Sequence, residues 1–202
     1  MDYPRPGRAR DAKHLEEKIV QKHILIVTGS PRKGGNSDLL ADAFTKGAQA
    51  AGHEVMRFAS ARDKVNGCLA CDTCWSKGKP CSFNDGFDTL APLLEQADML
   101  VLCGPLYWFS FSAQIKAAID KLYAYMKPQC PRKLNITESA LLMSAEDTDM
   151  NAFNGPVATY NSILGYLGWR DRGMLLVPGV NAKGDINNTD ALALAEKMGS
   201  EL

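Results

Sequence analysis

A chain of 202 residues, 46% hydrophobic and 23% charged, is sized for one globular domain with a sizeable buried core. Its 23 Lys and Arg balance 23 Asp and Glu, so the whole-chain field gives no reason to bind nucleic acid or an anionic membrane. No run approaches the ~20 consecutive apolar residues of a membrane span, and Met1 to Gln21 is polar and charged where a signal core would be apolar, so the expected location is cytoplasmic.

Residues 1–22, with Pro4, Pro6, Gly7 and alternating charges, read as an N-terminal extension in which Leu15 to Val20 has the pattern of a short helix. Residues 23–202 are expected to form the single domain. Ile24 to Thr28 is a short β-branched strand, followed by the glycine-rich Gly29 to Gly35 and by a helix with Leu39, Leu40, Ala43, Phe44 and Ala48 on one face. Val55 to Phe58 predicts a second strand. A cysteine-bearing loop intervenes before a helix marked by Phe87, Leu90, Leu94 and Ala97, with Pro92 in its early turns. Met99 to Cys103 is apolar throughout, as a central strand buried on both faces should be. Gly104 to Ser112 reads as a loop, and Ile115, Ile119 and Leu122 mark the helix after it. Ala140 to Met143 is a fourth strand, Val157 to Leu167 a helix and Met174 to Val177 a fifth strand. Asp190 to Leu202 is a last helix, capped by Thr189 or Asp190.

Strands alternating with helices call for a parallel sheet, because each parallel crossover is right-handed and usually helical. The expected fold is α/β, a doubly wound five-stranded parallel sheet with helices on both faces. Ligands of such sheets bind at the carboxyl ends of the strands where connections reverse. The loops after the first, third and fourth strands are therefore the places to look.

The first of these reads Thr28-Gly29-Ser30-Pro31-Arg32-Lys33-Gly34-Gly35-Asn36-Ser37 and runs into a helix. Its glycines let the backbone approach a ligand, the first helical turn leaves amide protons unpaired, and Ser30, Asn36 and Ser37 offer short polar groups. Arg32 adds a charge suited to a phosphate. A nucleoside-triphosphate loop would need Lys directly before Ser37, where Asn36 stands, and the glycine spacing does not match a dinucleotide fingerprint. The residues alone leave open a glycine-rich turn that caps a helix and binds nothing.

The second loop holds Gly104-Pro105-Leu106-Tyr107-Trp108-Phe109-Ser110, three successive aromatics beside a proline. Such a loop can wall a flat ring system, or its aromatics can simply pack beneath it. Cys68, Cys71, Cys74 and Cys81 form C-x2-C-x2-C-x6-C, a spacing closer to an iron–sulfur run than to the paired C-x2-C of structural zinc. The alternative is a set of free, redox-labile thiols, and Lys77 and Lys79 between the third and fourth could lower their pKa.

With both loops in order at strand ends, the chain from about His23 onward resembles the NAD(P)H-dependent FMN reductases of the flavodoxin-like superfamily. The cysteine spacing resembles that of the iron-sulfur flavoproteins, a branch of the same superfamily. The resemblance implies a flavodoxin-like fold and a non-covalent FMN. It implies that Ser30, Arg32, Asn36 and Ser37 bind the phosphate, that Pro105, Leu106, Tyr107 and Trp108 contact the isoalloxazine, and that a third contact comes from Ser144 and Ala145. NAD(P)H would be the co-substrate, and a small-molecule or protein electron acceptor the partner: a quinone, a nitroaromatic, a flavin or an iron chelate. With the chemistry in the cofactor, no catalytic acid or base is required. Cys68, Cys71, Cys74 and Cys81 would ligate a [4Fe-4S] cluster if one is present. Related reductases imply a homodimer or homotetramer. The rival functions are an iron-sulfur electron carrier between proteins and a binding protein that has lost its flavin.

The remaining candidates read as structural. His14, His23 and His53 share no metal spacing, Glu146, Asp147 and Asp149 suit a solvated loop, Cys103 suits a buried strand, and Cys130, between Pro128 and Pro131, suits a loop.

Overall fold

The computed structural model describes residues 20–202, so Leu15 to Ile19 of the expected N-terminal helix, and His14, lie outside the described residues. Strands β1 (His23–Thr28), β2 (Glu54–Ala59), β3 (Met99–Tyr107), β5 (Glu138–Ser144) and β6 (Arg170–Val177) form a parallel sheet in the order β2-β1-β3-β5-β6, with the short β4 (Ser110–Phe111) pairing antiparallel to β3. Five of these are the predicted strands. The chain reverses its winding between β1 and β3, which opens a crevice at their carboxyl ends.

Alternation along each central strand divides the core in two. Leu25, Val27, Leu100, Leu102, Leu141 and Met143 face α2 (Phe87–Gln96), α3 (Ala113–Lys121) and α4 (Asn154–Leu167). Ile24, Ile26, Met99, Val101, Cys103, Ala140 and Leu142 face α1 (Asn36–Ala50) and α5 (Ala191–Ser200). Both faces are covered, so the three central strands show no polar face to water and read as near-continuous apolar runs. Pro92 stands in the second turn of α2, where it removes one intrahelical bond. At the start of α5, Thr189 Oγ1 accepts a hydrogen bond from the Ala191 amide, so of the two expected caps it is Thr189 that acts.

The main departure from the predicted elements is the second loop. β3 does not stop at Cys103 but runs on to Tyr107, and Leu106 and Tyr107 pair with Phe111 and Ser110 in a tight hairpin. β1 pairs with β3 only as far as Cys103, while β5 keeps its partner through Ser144 opposite Pro105. The overhang projects Tyr107, Trp108 and Phe109 past the sheet edge.

Between β2 and α2 the long cysteine segment has no regular secondary structure and is held by two buried anchors. Trp75 Nε1 donates to the Ala124 carbonyl at 2.8 Å, its ring meets Tyr125 edge-on at 5.8 Å, and the Arg132 guanidinium lies over the ring at 5.2 Å. Lys121 and Asp85 form an ion pair with both side chains almost wholly buried. Asp85 also accepts from the amides of Asn66 and Phe87, so its burial, which opposes charge, is outweighed and its pKa lies below the ordinary carboxyl value.

Helices α1 and α5 cross at two glycines. A Cβ at Gly47 would stand 1.8 Å from the Glu196 carbonyl oxygen, and one at Gly199 would stand 2.2 Å from that of Phe44. Neither obstacle is a flexible side chain, so the helices must separate if either residue gains a methyl. Gly47→Ala is therefore expected to lose about 1–3 kcal/mol of stability despite the better helix propensity of alanine. Urea unfolding checks this, by a lower midpoint at unchanged slope.

Candidate functional site

The crevice at the carboxyl ends of β1, β3, β5 and β6 is lined by Ser30, Arg32, Asn36, Ser37, Pro105, Leu106, Tyr107, Ser144 and Ala145 around a cavity of about 190 Å³. A more open shelf of about 620 Å³ adjoins it, lined by Leu106, Tyr107, Trp108, Phe109, Ala145 and Glu146. The two share Leu106, Tyr107, Ala145 and Glu146, so every residue singled out in the three loops borders one continuous cleft.

Its polar end is built by the turn from β1 into α1. The Gly29 amide donates to the Cys103 carbonyl at 2.9 Å and the Gly35 amide to the Arg32 carbonyl at 3.1 Å. Gly35 is the residue before α1, and no side chain caps the helix. The first-turn amides are thus left for an outside acceptor, with the positive end of the helix dipole behind them. Ser37 Oγ stands 3.1 Å from Ser144 Oγ, joining the first loop to the third. Cys103 lies beneath; burial pushes its thiol up to about 12, and it donates to the Ser37 carbonyl as a neutral group.

Asn36 lines the cleft, and its side chain is engaged within the protein. Its side chain donates from Nδ2 to the Ala182 carbonyl at 3.0 Å, and its Oδ1 accepts from the Gly184 amide at 3.1 Å, so it ties α1 to the segment after β6. Its amide remains part of the helix start while its carboxamide is committed. Arg32 likewise touches that segment, donating from Nη1 to the Asn181 carbonyl at 3.2 Å. This fourth wall, Val180, Asn181 and Lys183, was absent from the loops picked out by sequence. Its only signal was its place at the carboxyl end of another strand, followed by the Gly184-Asp185 turn.

The aromatics are not packed beneath their loop. Trp108 is 94% exposed, Phe109 59% and Tyr107 40%. Trp108 and Phe109 have φ of 47° and 58°, the left-handed pair of a two-residue hairpin turn that ordinarily selects Asn-Gly. Two bulky residues in that backbone, Trp108 with almost no burial to offset the strain and Phe109 mostly exposed, point to a role outside folding.

The four cysteines line a separate cavity of about 350 Å³ together with Leu69, Phe83, Tyr123 and Ala124. Burial and the neighbouring Cys68, Cys71 and Cys81 raise the Cys74 thiol, whereas the Thr73 hydroxyl, 3.0 Å from Cys71 Sγ, lowers that of Cys71. Lys79, between the third and fourth cysteines, has carboxylate and amide partners: its ammonium bonds Asp88 and Asn84. Among the described residues no three His, Cys, Asp or Glu close on a point where one metal ion could sit.

Of the other candidates, His23 sits at the surface 3.1 Å from Asp98, and His53 is buried and accepts from the Lys22 amide at 3.3 Å. Cys130 is half-buried in its loop. Glu146, Asp147 and Asp149 are exposed; Glu146 borders both parts of the cleft and Asp147 its open shelf. Among the described residues no helix is long and apolar enough to cross a membrane.

Residues 23–145 match the family model described as NADPH-dependent FMN reductase. The chain is 37% identical over 99 residues to an iron-sulfur flavoprotein of Archaeoglobus fulgidus, covering 49% of this chain and 44% of that protein. It is 31% identical over 98 residues to an iron-sulfur flavoprotein of Methanocaldococcus jannaschii, covering 48% and 50%. The chain thus spans about half the length of these curated relatives. Among solved structures, the NAD(P)H:quinone oxidoreductase from Methanothermobacter marburgensis superposes with a TM-score of 0.69 over 90% of this chain and 96% of its own, at 21% identity, which shows the shared fold.

The strained hairpin makes its own prediction. Replacing Trp108 by Asn and Phe109 by Gly together should raise stability by about 1–2 kcal/mol, because both new residues accept the left-handed backbone. A urea midpoint at or below that of the parent chain would show that the two aromatics support the fold after all.

Proposed function

The chain belongs to the NADPH-dependent FMN reductase family, and on that premise we propose that its cleft holds FMN and that it passes electrons from NAD(P)H to a small acceptor. The observation that carries this reading is the meeting of three loops from distant parts of the sequence around one cleft, polar at one end and aromatic at the other. The residues fit the group. An uncapped helix start, Ser30, Ser37 and Arg32 suit a phosphate, and Pro105, Leu106 and Tyr107 with the Ser144–Ala145 backbone suit a planar ring with a polar edge. Bound there, FMN supplies the redox chemistry, taking hydride from NAD(P)H and delivering electrons to the acceptor.

The chain's own task is positioning. Ser30, Arg32 and Ser37 anchor the phosphate, and the Tyr107 wall fixes the ring plane. The exposed shelf by Trp108 leaves room for donor and acceptor in turn, which calls for ping-pong kinetics. Quinones, nitroaromatics, flavins and iron chelates are all of a size for that open shelf. A second copy of the chain is the natural cover for Trp108 and Phe109. We therefore take the protein to be a cytoplasmic homodimer or homotetramer, and sedimentation as a monomer at micromolar concentration would overturn that.

A second reading rests on the other cavity. Cys68, Cys71, Cys74 and Cys81 line one largely apolar cavity, and their spacing is closer to that of an iron–sulfur run than to the paired C-x2-C of structural zinc. On this reading the protein also carries a [4Fe-4S] cluster and serves as an electron carrier between proteins.

Protein purified without oxygen tests both readings at once. Flavin absorption bands, steady NAD(P)H oxidation with a quinone, and loss of FMN but not riboflavin affinity in Arg32→Ala are the expected results. A colourless protein that ignores added FMN would sink the first reading. Near four irons and four acid-labile sulfides per chain, lost in Cys71→Ser, would establish the second; negligible iron with full NAD(P)H oxidation would remove it.

A further inference from the structure

We propose that Lys183 is a second phosphate-binding cation of the cofactor cleft, and that Asn36 is the residue that positions it. This rests on the reading of the cleft as an FMN site and adds to it which charges recognise the phosphate.

Lys183 lies between β6 and α5, in a segment that folds back over the start of α1. The backbone on both sides of it is pinned. Asn36 Nδ2 donates to the carbonyl of Ala182, the residue before, while its Oδ1 accepts from the amide of Gly184, the residue after, and from that of Ile186 at 3.4 Å. Arg32 holds the Asn181 carbonyl, and Asp185 Oδ2 accepts from the amides of Asn181 and Ala182 at 3.0 and 2.7 Å. With its neighbours held by the side chains of Asn36, Arg32 and Asp185, the Lys183 side chain makes no hydrogen bond or ion pair of its own among the described residues. Its ammonium passes over Gly34, where a Cβ would stand 3.3 Å from Nζ, and borders the same cavity as Ser30, Arg32 and Ser37.

Charge is the second strand of evidence. Among the described residues neither Lys183 nor Arg32 forms an ion pair, although 15 such contacts occur elsewhere in the structure. Both border the N-terminus of a 15-residue helix, which itself carries roughly half a positive charge. Glu146 is the one carboxylate that shares their cavity. Two cations held beside a positive helix end repel one another, and an entering anion relieves that repulsion. A phosphate monoester carries close to two negative charges at neutral pH, with a second pKa near 6. Arg32 alone would leave it half neutralised, whereas Arg32 and Lys183 together match it.

Asn36 explains why the second cation comes from the far end of the chain. Its carboxamide bonds the Ala182 carbonyl and the Gly184 amide together, and so ties a surface turn to the start of α1 as a wall of the cleft. It acts through Lys183 and is a positioning residue, not a ligand of the phosphate.

Equilibrium dialysis of the full chain against FMN and against riboflavin tests this, because the ratio of the two affinities isolates recognition of the phosphate. Lys183→Gln should lower that ratio about tenfold and leave riboflavin binding unchanged, and Lys183→Arg should restore most of it. Asn36→Ala should lower the ratio similarly, and adding it to Lys183→Gln should have little further effect. A ratio within twofold of the parent in Lys183→Gln, while Arg32→Ala abolishes the preference, overturns the role of Lys183 and leaves the FMN reading standing. An Asn36→Ala chain that loses FMN and riboflavin equally overturns the positioning role. A parent chain that holds both flavins equally overturns the FMN reading itself.

Discussion

Everything at the cleft depends on how closely α3 approaches the ends of β1 and β3. A Cβ on Gly29 would lie 2.4 Å from Ser112 Oγ and 2.5 Å from Ile115 Cγ1, and one on Gly104 would lie 2.8 Å from Ile115 Cδ1. Because neither residue has a side chain, Ile115 packs fully buried beneath both strand ends. Ser112 Oγ reaches the Gly29 carbonyl at 3.3 Å and accepts from the Ile115 amide, so one hydroxyl closes β1 and caps α3 together. That contact fixes where the chain leaves the sheet, and hence where the first helix start and the overhanging hairpin face each other.

From this the division of labour in the molecule follows. Rigid strands bring the loops to one line, and the loops are joined to each other by side chains: Ser37 to Ser144, Asn36 to the turn after β6, Arg32 to Asn181. Each tie is one to three hydrogen bonds, individually worth about 1 kcal/mol. Their collective effect is to hold polar groups in place before any ligand arrives, which lowers the ordering cost of binding. The cysteine segment is organised by the same logic with different parts. Trp75 and the Lys121–Asp85 pair moor a long irregular stretch to the end of α3, leaving four thiols around a cavity.

The sheet was legible in the sequence because burial on both faces writes itself as unbroken apolar runs, as in Ile24 to Val27 and Met99 to Cys103. The phosphate-type loop was legible because Gly29 to Ser37 is local: the residues that build it are adjacent in the chain. What escaped was whatever depends on distant partners. Lys183 looks like any surface lysine until Asn36 is seen to grip its neighbours. Trp75 has no pattern around it that foretells Ala124 as its hydrogen-bond partner. The Gly104–Ser112 loop was misread since strand and loop residues look alike there, and only pairing with Phe111 and Ser110 shows that β3 continues. Lys79, placed among cysteines by sequence, turns to Asp88, a carboxylate that no local spacing foretells as its partner.

The crossing of α1 and α5 at Gly47 and Gly199 bears on how the chain is made. Leu40, Phe44 and Ala48 of the first helix share an apolar cluster with Ala191 and Ala195 of the last. During synthesis, at about 5–20 residues per second, the part of that face that packs on α5 waits for roughly 150 further residues before its cover exists. The β1–β2 and β1–β3 pairings can form meanwhile, so a nascent domain would expose one greasy flank for of the order of ten seconds. Capture by a holdase or premature association is most dangerous in that interval, and the final helix acts as the latch that ends it.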